Sequence, residues 1–551
     1  MSQPAWLRLR WTQSRVLVVL LGCVALAYLP VFRNGFVYDD TALIVDSRVI
    51  HEPRNLPALF VHSAMFASAQ YSGGITEVDT YRPITIATFM WDAQLSGTSP
   101  WAYHLTNLIA HLICVWLVYR FALAALAERD RRFAIFAAAW FAFTPIPSEA
   151  HVWINGRSDV FATLFGLAGV LAWRRGLDSG GFRRIALLTL ASVGFLFGLL
   201  SKEVLLLCLP AIALWPERTP VGVVRRALRC LPLAAAAVIY LAMRAHALGG
   251  MRSHQNAAQL GLASTRVPWL LFDGLMQSLV PTHVYQRLLY EEYGRLPSYL
   301  PLLAGIGLLL VIAAALVLNR AAPAAGWGLL WFALPLAPIA IISTMFWPGF
   351  GRYLYLPCAG LAVTVATLAA YVARVAPRLQ RFLTYTALGY GVVLIVVLQG
   401  FIASYRSSSA LYTRAIESRP DLAFGYGALA ASMSTQLRDL ESVARLLEIA
   451  ERLDPSVPKY AIHHVQAELV LKHSDRAATL AEQALQRFPI DPLLHYLAAV
   501  ATTDTAPKRA LDHLRACTKI DPTFERCRSA LAVQCQKEPG CDQLSRAEPG
   551  Q

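Results

Sequence analysis

The sequence predicts an all-α protein: a polytopic bundle of membrane helices followed by a short solenoid of paired helices. Three observations carry that reading. Of 551 residues, 56% are hydrophobic and 15% charged, with a mean hydropathy of +0.46, whereas a soluble domain is about 45–50% apolar and about 25% charged. A water-soluble enzyme, a disordered chain and a collagenous one are thereby excluded. Several apolar stretches reach the roughly 20 residues that cross a bilayer as a helix. After Ser404 the composition turns charged and Ala/Leu-rich, and a period near 34 residues sets in.

The clearest spans run from Val16 to Phe32, Trp101 to Tyr119, Ser298 to Leu318, Ala324 to Phe350 and Phe382 to Ser404. Shorter ones run from Phe133 to Ile146, Ser158 to Trp173, Ile185 to Leu200, Val204 to Trp215, Leu231 to Met243 and Tyr353 to Tyr371. Arg33 and aromatic residues, rather than a small-residue cleavage site, follow Val16 to Phe32, so that stretch reads as a retained span and not a signal peptide. The segment from Val267 to Pro281 is interrupted by Asp273 and Gln277 and reads as an interfacial or re-entrant helix.

Arginine sets the orientation. The 49 Lys+Arg exceed the 35 Asp+Glu, and the excess collects in alternate loops: Arg8, Arg10 and Arg15; Arg129, Arg131 and Arg132; Arg174, Arg175, Arg183 and Arg184; Arg218, Arg225, Arg226 and Arg229; Arg320; and Arg374, Arg378 and Arg381. The net charge of +14 therefore reports topology rather than nucleic-acid binding. Basic loops stay cytoplasmic, which puts the loops holding Asp39, Asp40, Glu77, Asp79, Glu149 and Asp159 outside. Eleven spans then leave the N-terminus inside and the C-terminus outside.

Beyond Ser404, small residues Ala415, Ala450, Ala484 and Cys517 are each followed five positions later by Pro420, Pro455, Pro489 and Pro522, at spacings of 35, 34 and 33. A small residue closing a helix pair and a proline ending its second helix is the tetratricopeptide pattern. The chain thus divides into a membrane domain over 1–404, a repeat domain over 405–541 and a flexible tail over 542–551. Nine cysteines form no small disulfide scaffold, but Cys517, Cys527, Cys535 and Cys541 crowd the last 35 residues and point to an oxidising compartment. Cys517 holds a packing position and is expected to stay a thiol, with one pair among Cys527, Cys535 and Cys541 bridged.

The first outside loop, from Arg33 to Pro100, opens with Phe36, Val37, Tyr38, Asp39 and Asp40. Adjacent carboxylates beneath an aromatic rim can supply a general base, hold a divalent cation with further ligands, or cap a short helix. His104, Asn107 and His111 share one face of a membrane helix, either as interhelical hydrogen-bond partners or as metal ligands. Lys202 is the only lysine before Lys459 and is followed by Glu203; it either snorkels to the interface or meets a phosphate. Arg352, between Gly351 and Tyr353, can clasp a lipid phosphate or anchor an aromatic belt.

Taken in order, Phe36 to Asp40; Tyr81, Arg82 and Pro83, then His104, Asn107 and His111; Pro145, Ser148 and Glu149, then Gly156 to Asp159; Lys202 with Glu203; and Arg352, Tyr353, Leu354, Tyr355 and Pro357 carry a resemblance. The sequence resembles the transmembrane and tetratricopeptide-repeat O-mannosyltransferases and their bacterial relatives, within the C-type glycosyltransferase membrane fold. It departs from them at Trp153 and Asn155, where smaller or apolar residues are expected, and in the shortness of its repeat array.

The resemblance implies an inverting glycosyltransferase. A polyprenyl-phosphate-linked sugar lies in the outer leaflet, its phosphate held by some of Arg82, Arg157, Lys202 and Arg352. Asp39 or Asp40, with Asp40 the first choice of the two, activates an acceptor hydroxyl, and His104, Asn107, His111, Glu149, Asp159, Glu203, Tyr353 and Tyr355 support the site. No metal site is assigned, and a divalent cation is the one cofactor left open. The repeats present a concave surface to an acceptor protein or polymer. Two rivals stand beside this reading: transfer to a glycolipid or cell-surface polysaccharide, and a non-catalytic membrane-anchored repeat scaffold. The arginine bias and the lack of an Asn-x-Ser/Thr sequon lean toward a bacterial inner membrane with a periplasmic active site, or the endoplasmic reticulum if the source is eukaryotic.

Overall fold

In the computed structural model the described residues are 5–68, 80–126, 131–217, 219, 221–250, 267–280, 322–346, 351–434 and 439–537, with single positions between 306 and 317. They are helical, with no strand among them. The chain divides into two compact units, Met1–Ser407 and Ser408–Gln551.

In the first unit, α1 (Ala5–Tyr28) gives way to a tight 3-10 turn where Pro30 removes a backbone donor. The long loop that follows folds through short turns into α2 (Pro83–Ser96) and then α3 (Trp101–Ala125). Next come α4 (Arg131–Phe143), α5 (Arg157–Leu177), α6 (Gly181–Ser201), α7 (Leu231–Ala247) and α8 (Val267–Leu279). The unit closes with α9 (Pro323–Phe346), α10 (Tyr355–Val375) and α11 (Gln380–Ser404). Among the described residues, six helical segments are long and apolar enough to cross a membrane, or eight if two bent pairs each make one span. This is an integral membrane protein. The exposed Phe382, Leu388, Val392 and Val396 of α11 suit a lipid-facing wall. Between α5 and α6, Gly169 and Gly194 meet so closely that a Cβ on Gly169 would stand 3.0 Å from the backbone of Ala191 and Phe195, the small-residue contact by which membrane helices approach.

Two expected spans need correction or qualification. Val204 to Trp215 is a 3-10 turn (Glu203–Cys208) and a five-residue helix (Leu209–Ala213), too short for a hydrocarbon core of about 30 Å. Most of the span from Ser298 to Leu318 lies outside the described residues, as do Glu77 and Asp79. Helix α8 is 13 residues long, about 20 Å at 1.5 Å per residue, and its Asp273 and Gln277 are buried.

The described part of the first loop is a packed cap. Ile44, Ile50, Leu59 and Ala67 bury against Ile86, Phe89, Met90 and Ala93 of α2, Tyr103 of α3 and Ile154. Tyr81 locks it by donating its hydroxyl to the Phe60 carbonyl at 2.7 Å.

Among its described residues the second unit is eight helices in succession: α12 (Ser408–Ser418), α13 (Ala423–Ser434), α14 (Leu440–Leu453), α15 (Pro458–Val470), α16 (Ser474–Arg487), α17 (Pro492–Thr502), α18 (Pro507–Ile520) and α19 (Glu525–Lys537). Pro420, Pro455, Pro489 and Pro522 fall just after α12, α14, α16 and α18, and Ala450, Ala484 and Cys517 are fully buried. The arrangement is that of a helical-repeat solenoid.

Cys517 is not the free thiol expected: it is bridged to Cys527. The packing position on α18 faces the start of α19, and both cysteines sit in one cluster with Ala499, Ala510 and Leu514. Cys535 is also disulfide-bonded, and Cys541 lies outside the described residues. Closing so short a loop stabilises by about 2–3 kcal/mol. Replacing Cys517 and Cys527 by Ser is expected to lower the melting temperature of the repeat unit, followed by limited proteolysis on heating, and reductant should reproduce the effect in the parent protein.

Candidate active site

The site is assembled around one buried cation. Arg157, at the start of α5, is fully buried in a position where an unpaired charge would cost several kcal/mol. Its Nη1 stands 2.5 Å from Asp92 Oδ2. Nε donates to Asn107 Oδ1 at 2.6 Å, Nη1 also to Thr88 at 3.2 Å, and Nη2 to the Tyr103 carbonyl at 2.8 Å; the guanidinium lies 4.5 Å over the Phe89 ring. Every nitrogen is engaged. Arg157 is therefore unavailable to a donor phosphate and joins α2, α3 and α5 instead.

Asn107 passes this order on. Its amide donates to the carbonyls of His151, Trp153 and Ile154 at 3.2, 3.4 and 3.3 Å, fixing the turn before α5. That turn in turn grips the first loop: the Asn155 N–H donates to Asp40 Oδ1 at 3.0 Å, and the Trp153 indole donates to the Val37 carbonyl at 3.3 Å. Asp40 Oδ2 accepts the Val37 N–H at 3.0 Å. Asp40 is fully buried, and burial pushes its carboxyl well above the ordinary range, opposed by the Val37 and Asn155 amides and assisted by the neighbouring Asp39 charge.

Asp39 differs. It is half-buried, and its carboxylate has no hydrogen-bond partner among the described residues. Burial raises its pKa, and the positive charge of Arg352 pulls it back. The adjacent Tyr38 has φ of +55°, a left-handed conformation that costs an aromatic residue about 1–3 kcal/mol and ends the turn with Asp39 displayed. Of the two candidate bases, geometry leaves Asp39 free and makes Asp40 a clamp.

Three cations gather around Tyr353. Arg352 reaches Glu149 at 3.3 Å and lies 4.7 Å over Trp153 and 4.8 Å over Tyr353. Lys202 is buried, 2.6 Å from Asp159 Oδ2, with its Nζ 4.1 Å over the Tyr353 ring. Arg82 holds Glu203 through Nη2 at 3.0 Å and Nε at 3.4 Å. Burial disfavours the Glu203 charge, but the Arg82 guanidinium overrides it and holds the carboxyl down to about 2. Gly351 allows the approach of Glu149: a Cβ there would stand 2.5 Å from Glu149 Oε2. Arg82 and Arg352 keep part of their side chains exposed, 24% and 17%; Lys202 sits behind them.

The polar face of α3 is structural. His104 meets the Asn34 carbonyl at 3.2 Å, and Asn34 donates to the Ile402 carbonyl at 3.0 Å. His111 is 2.7 Å from the Tyr355 hydroxyl and stacks on His151 at 3.7 Å. Among the described residues no three His, Cys, Asp or Glu side chains converge to hold a metal.

With the geometry established, comparison with known proteins adds a chemical direction. Over 165 residues, 29% of this chain, it is 32% identical to Protein O-mannosyl-transferase TMTC1 of Mus musculus. It is 30% identical over 159 residues to TMTC3 of Homo sapiens and 31% identical over 206 residues, 37% of this chain, to Tmtc1 of Drosophila melanogaster. These homologues are named protein O-mannosyl-transferases. The matches cover 17%, 17% and 23% of those proteins, so the chain aligns with about a fifth of the length of the relatives. No family model matches it.

Sequence reasoning passed over Asp92, the partner that makes Arg157 tolerable. Its signal was present: it is the one charged residue in the apolar helix α2, and a lone charge on such a helix needs a partner. Trp153, noted only as a departure, proves to hold both the Val37 carbonyl and the Arg352 guanidinium. Asp92→Asn is expected to cost about 3–5 kcal/mol because it strands a buried guanidinium; the paired change Asp92→Leu with Arg157→Met should recover part of that, as read by thermal unfolding in detergent.

Proposed function

We propose that this protein is a membrane glycosyltransferase that moves a sugar, mannose by the names of its relatives, from a polyprenyl-phosphate donor to a protein hydroxyl on the extracytoplasmic face. The observation that carries this is the pairing of a free carboxylate, Asp39, with a cluster of three cations. Asp39 takes the proton of the acceptor hydroxyl as its oxygen bonds to the anomeric carbon. The bond from that carbon to the phosphate oxygen breaks, and the departing phosphate takes the electron pair. Attack and departure on opposite faces invert the centre.

Arg82 and Arg352 are the partly exposed cations and meet the phosphate. Each guanidinium carries five N–H donors, so a carboxylate and a phosphate can share one. Glu149 and Glu203 hold the two guanidiniums in place without exhausting them, and Lys202 adds its charge from behind. Such fixed cations stabilise charge that grows in the transition state. The arginine pattern of the loops supports an extracytoplasmic site, and a bacterial inner membrane remains our reading of the compartment. The repeats, read as tetratricopeptide units, suit a protein acceptor.

The test is transfer from a synthetic polyprenyl-phosphate mannose to a Ser/Thr peptide by protein reconstituted in liposomes. Asp39→Asn should lower kcat by about 10²–10⁴-fold while leaving the melting temperature unchanged. Asp40→Asn should lower the melting temperature. Equal activity of Asp39→Asn and the parent would defeat the assignment.

A base acts only when ionised, so the acid limb of kcat/KM should lie above the ordinary carboxylate range, because burial raises Asp39. Arg352→Gln removes the charge that pulls Asp39 down, and should move that limb to higher pH as well as raise the KM for the donor. An unmoved limb would separate Arg352 from Asp39.

A further inference from the structure

Tyr353, in the turn just before α10, does two separable things. Its ring serves two cations: Lys202 Nζ stands 4.1 Å and the Arg352 guanidinium 4.8 Å from the centroid. Arg352 also lies 4.7 Å over Trp153, so two aromatic rings hold that guanidinium. Phenylalanine would supply all of this, because cation–π attraction comes from the ring face. The hydroxyl needs a different explanation.

The Tyr353 oxygen accepts a hydrogen bond from Arg352 Nη2 at 3.4 Å. Its proton has no acceptor among the described residues. The carboxylates around it are engaged elsewhere: Asp159 by Lys202, Glu149 by Arg352 and Glu203 by Arg82. The charges of Arg352, Lys202 and Arg82 all act on this one hydroxyl, and Tyr353 is partly exposed. A donor left open among three fixed cations draws an anionic oxygen.

We propose that Tyr353 is a further catalytic residue, whose O–H donates a hydrogen bond to the phosphate oxygen that departs from the anomeric carbon. This rests on the reading of a lipid-phosphate donor given above. Arg82 and Arg352 meet oxygens already charged in the intact diester, whereas the departing oxygen gains its charge only during the reaction. As its bond to the anomeric carbon breaks, that oxygen keeps the electron pair and the tyrosine keeps its hydrogen. The hydrogen bond strengthens because its acceptor becomes charged. A fixed donor that binds the transition state better than the ground state raises kcat without tightening the donor complex.

The experiment compares Tyr353→Phe, which keeps the ring and removes only the hydroxyl, with the parent protein. Transfer is measured in liposomes, and binding in nanodiscs to two probes: farnesyl phosphate, with the monoester charge of the product, and methyl farnesyl phosphate, with the single diester charge of the donor. Tyr353→Phe should lower kcat about 10²–10³-fold, hold the donor KM within about twofold and keep the parent's melting temperature. Its affinity for farnesyl phosphate should fall at least about tenfold, as expected for one hydrogen bond to a charged group, and its affinity for the methyl diester should fall far less. The proposal is overturned by full kcat in Tyr353→Phe, by equal weakening of the two probes, or by a drop in melting temperature that accounts for the lost activity. A parent that transfers, with Tyr353→Phe unchanged, defeats this proposal alone; a parent that binds both probes and transfers nothing defeats the transferase reading and this proposal with it.

Discussion

The buried guanidinium of Arg157 is the constraint from which the membrane unit's architecture follows. A charge with no exposure can persist only if it is paired and hydrogen-bonded, and Asp92, Thr88, Asn107 and the Tyr103 carbonyl engage all three of its nitrogens from two other helices. Because Asn107 is held from one side by Arg157, its amide is free to hold three carbonyls of the 151–154 turn. That turn presents the Asn155 N–H to Asp40. The loop's anchoring therefore runs through a continuous set of hydrogen bonds from a helix interior to the surface of the site, without any contact that acts by itself.

The outcome is a division of labour between two neighbouring carboxylates of identical chemistry. Asp40 spends both oxygens on backbone amides and becomes part of the fold. Asp39, one residue earlier and turned by the left-handed Tyr38, keeps its oxygens free and faces Arg352. The cations show a similar gradation: Arg157 is wholly enclosed, Lys202 is enclosed and capped by an aromatic ring, and Arg82 and Arg352 are braced by carboxylates while still open on one side. Burial and partners, rather than residue type, sort structural ions from those able to meet a ligand. Gly351 belongs to the same scheme, since a side chain there would push Glu149 away from Arg352.

Much of this was legible in the sequence because it rests on local signals. Apolar length located α1, α3, α6, α10 and α11, and the recurring small residue and proline located the second helices of the repeats. Asp39, Arg82, Asp159, Lys202, Glu203 and Arg352, singled out across more than 300 positions of sequence, come together in one region of the structure. What the sequence does not carry is which partner each ion takes. Arg157 and Asp92 are 65 positions apart, and neither has a neighbour that betrays the pair; Asp39 and Asp40 cannot be told apart without the turn from Trp153 to Gly156. Val204 to Trp215 looked long enough to span because apolar content says nothing of the 3-10 winding that shortens it. The Cys517–Cys527 bridge was missed for a like reason: a small residue at a packing position is as able to cross-link as to pack.

The account's central claim is that Asp39 and Arg352 flank one reaction centre while Asp40 and Arg157 hold it in shape. A cryo-electron microscopy map of the protein with a polyprenyl-phosphate sugar bound tests it most directly. The account predicts headgroup phosphate oxygens about 3 Å from the Arg352 guanidinium, the anomeric carbon on the side facing Asp39, and Asp40 still bonded to the amides of Val37 and Asn155. A headgroup bound away from Arg352, or Asp40 released toward the sugar with Asp39 turned aside, would contradict it.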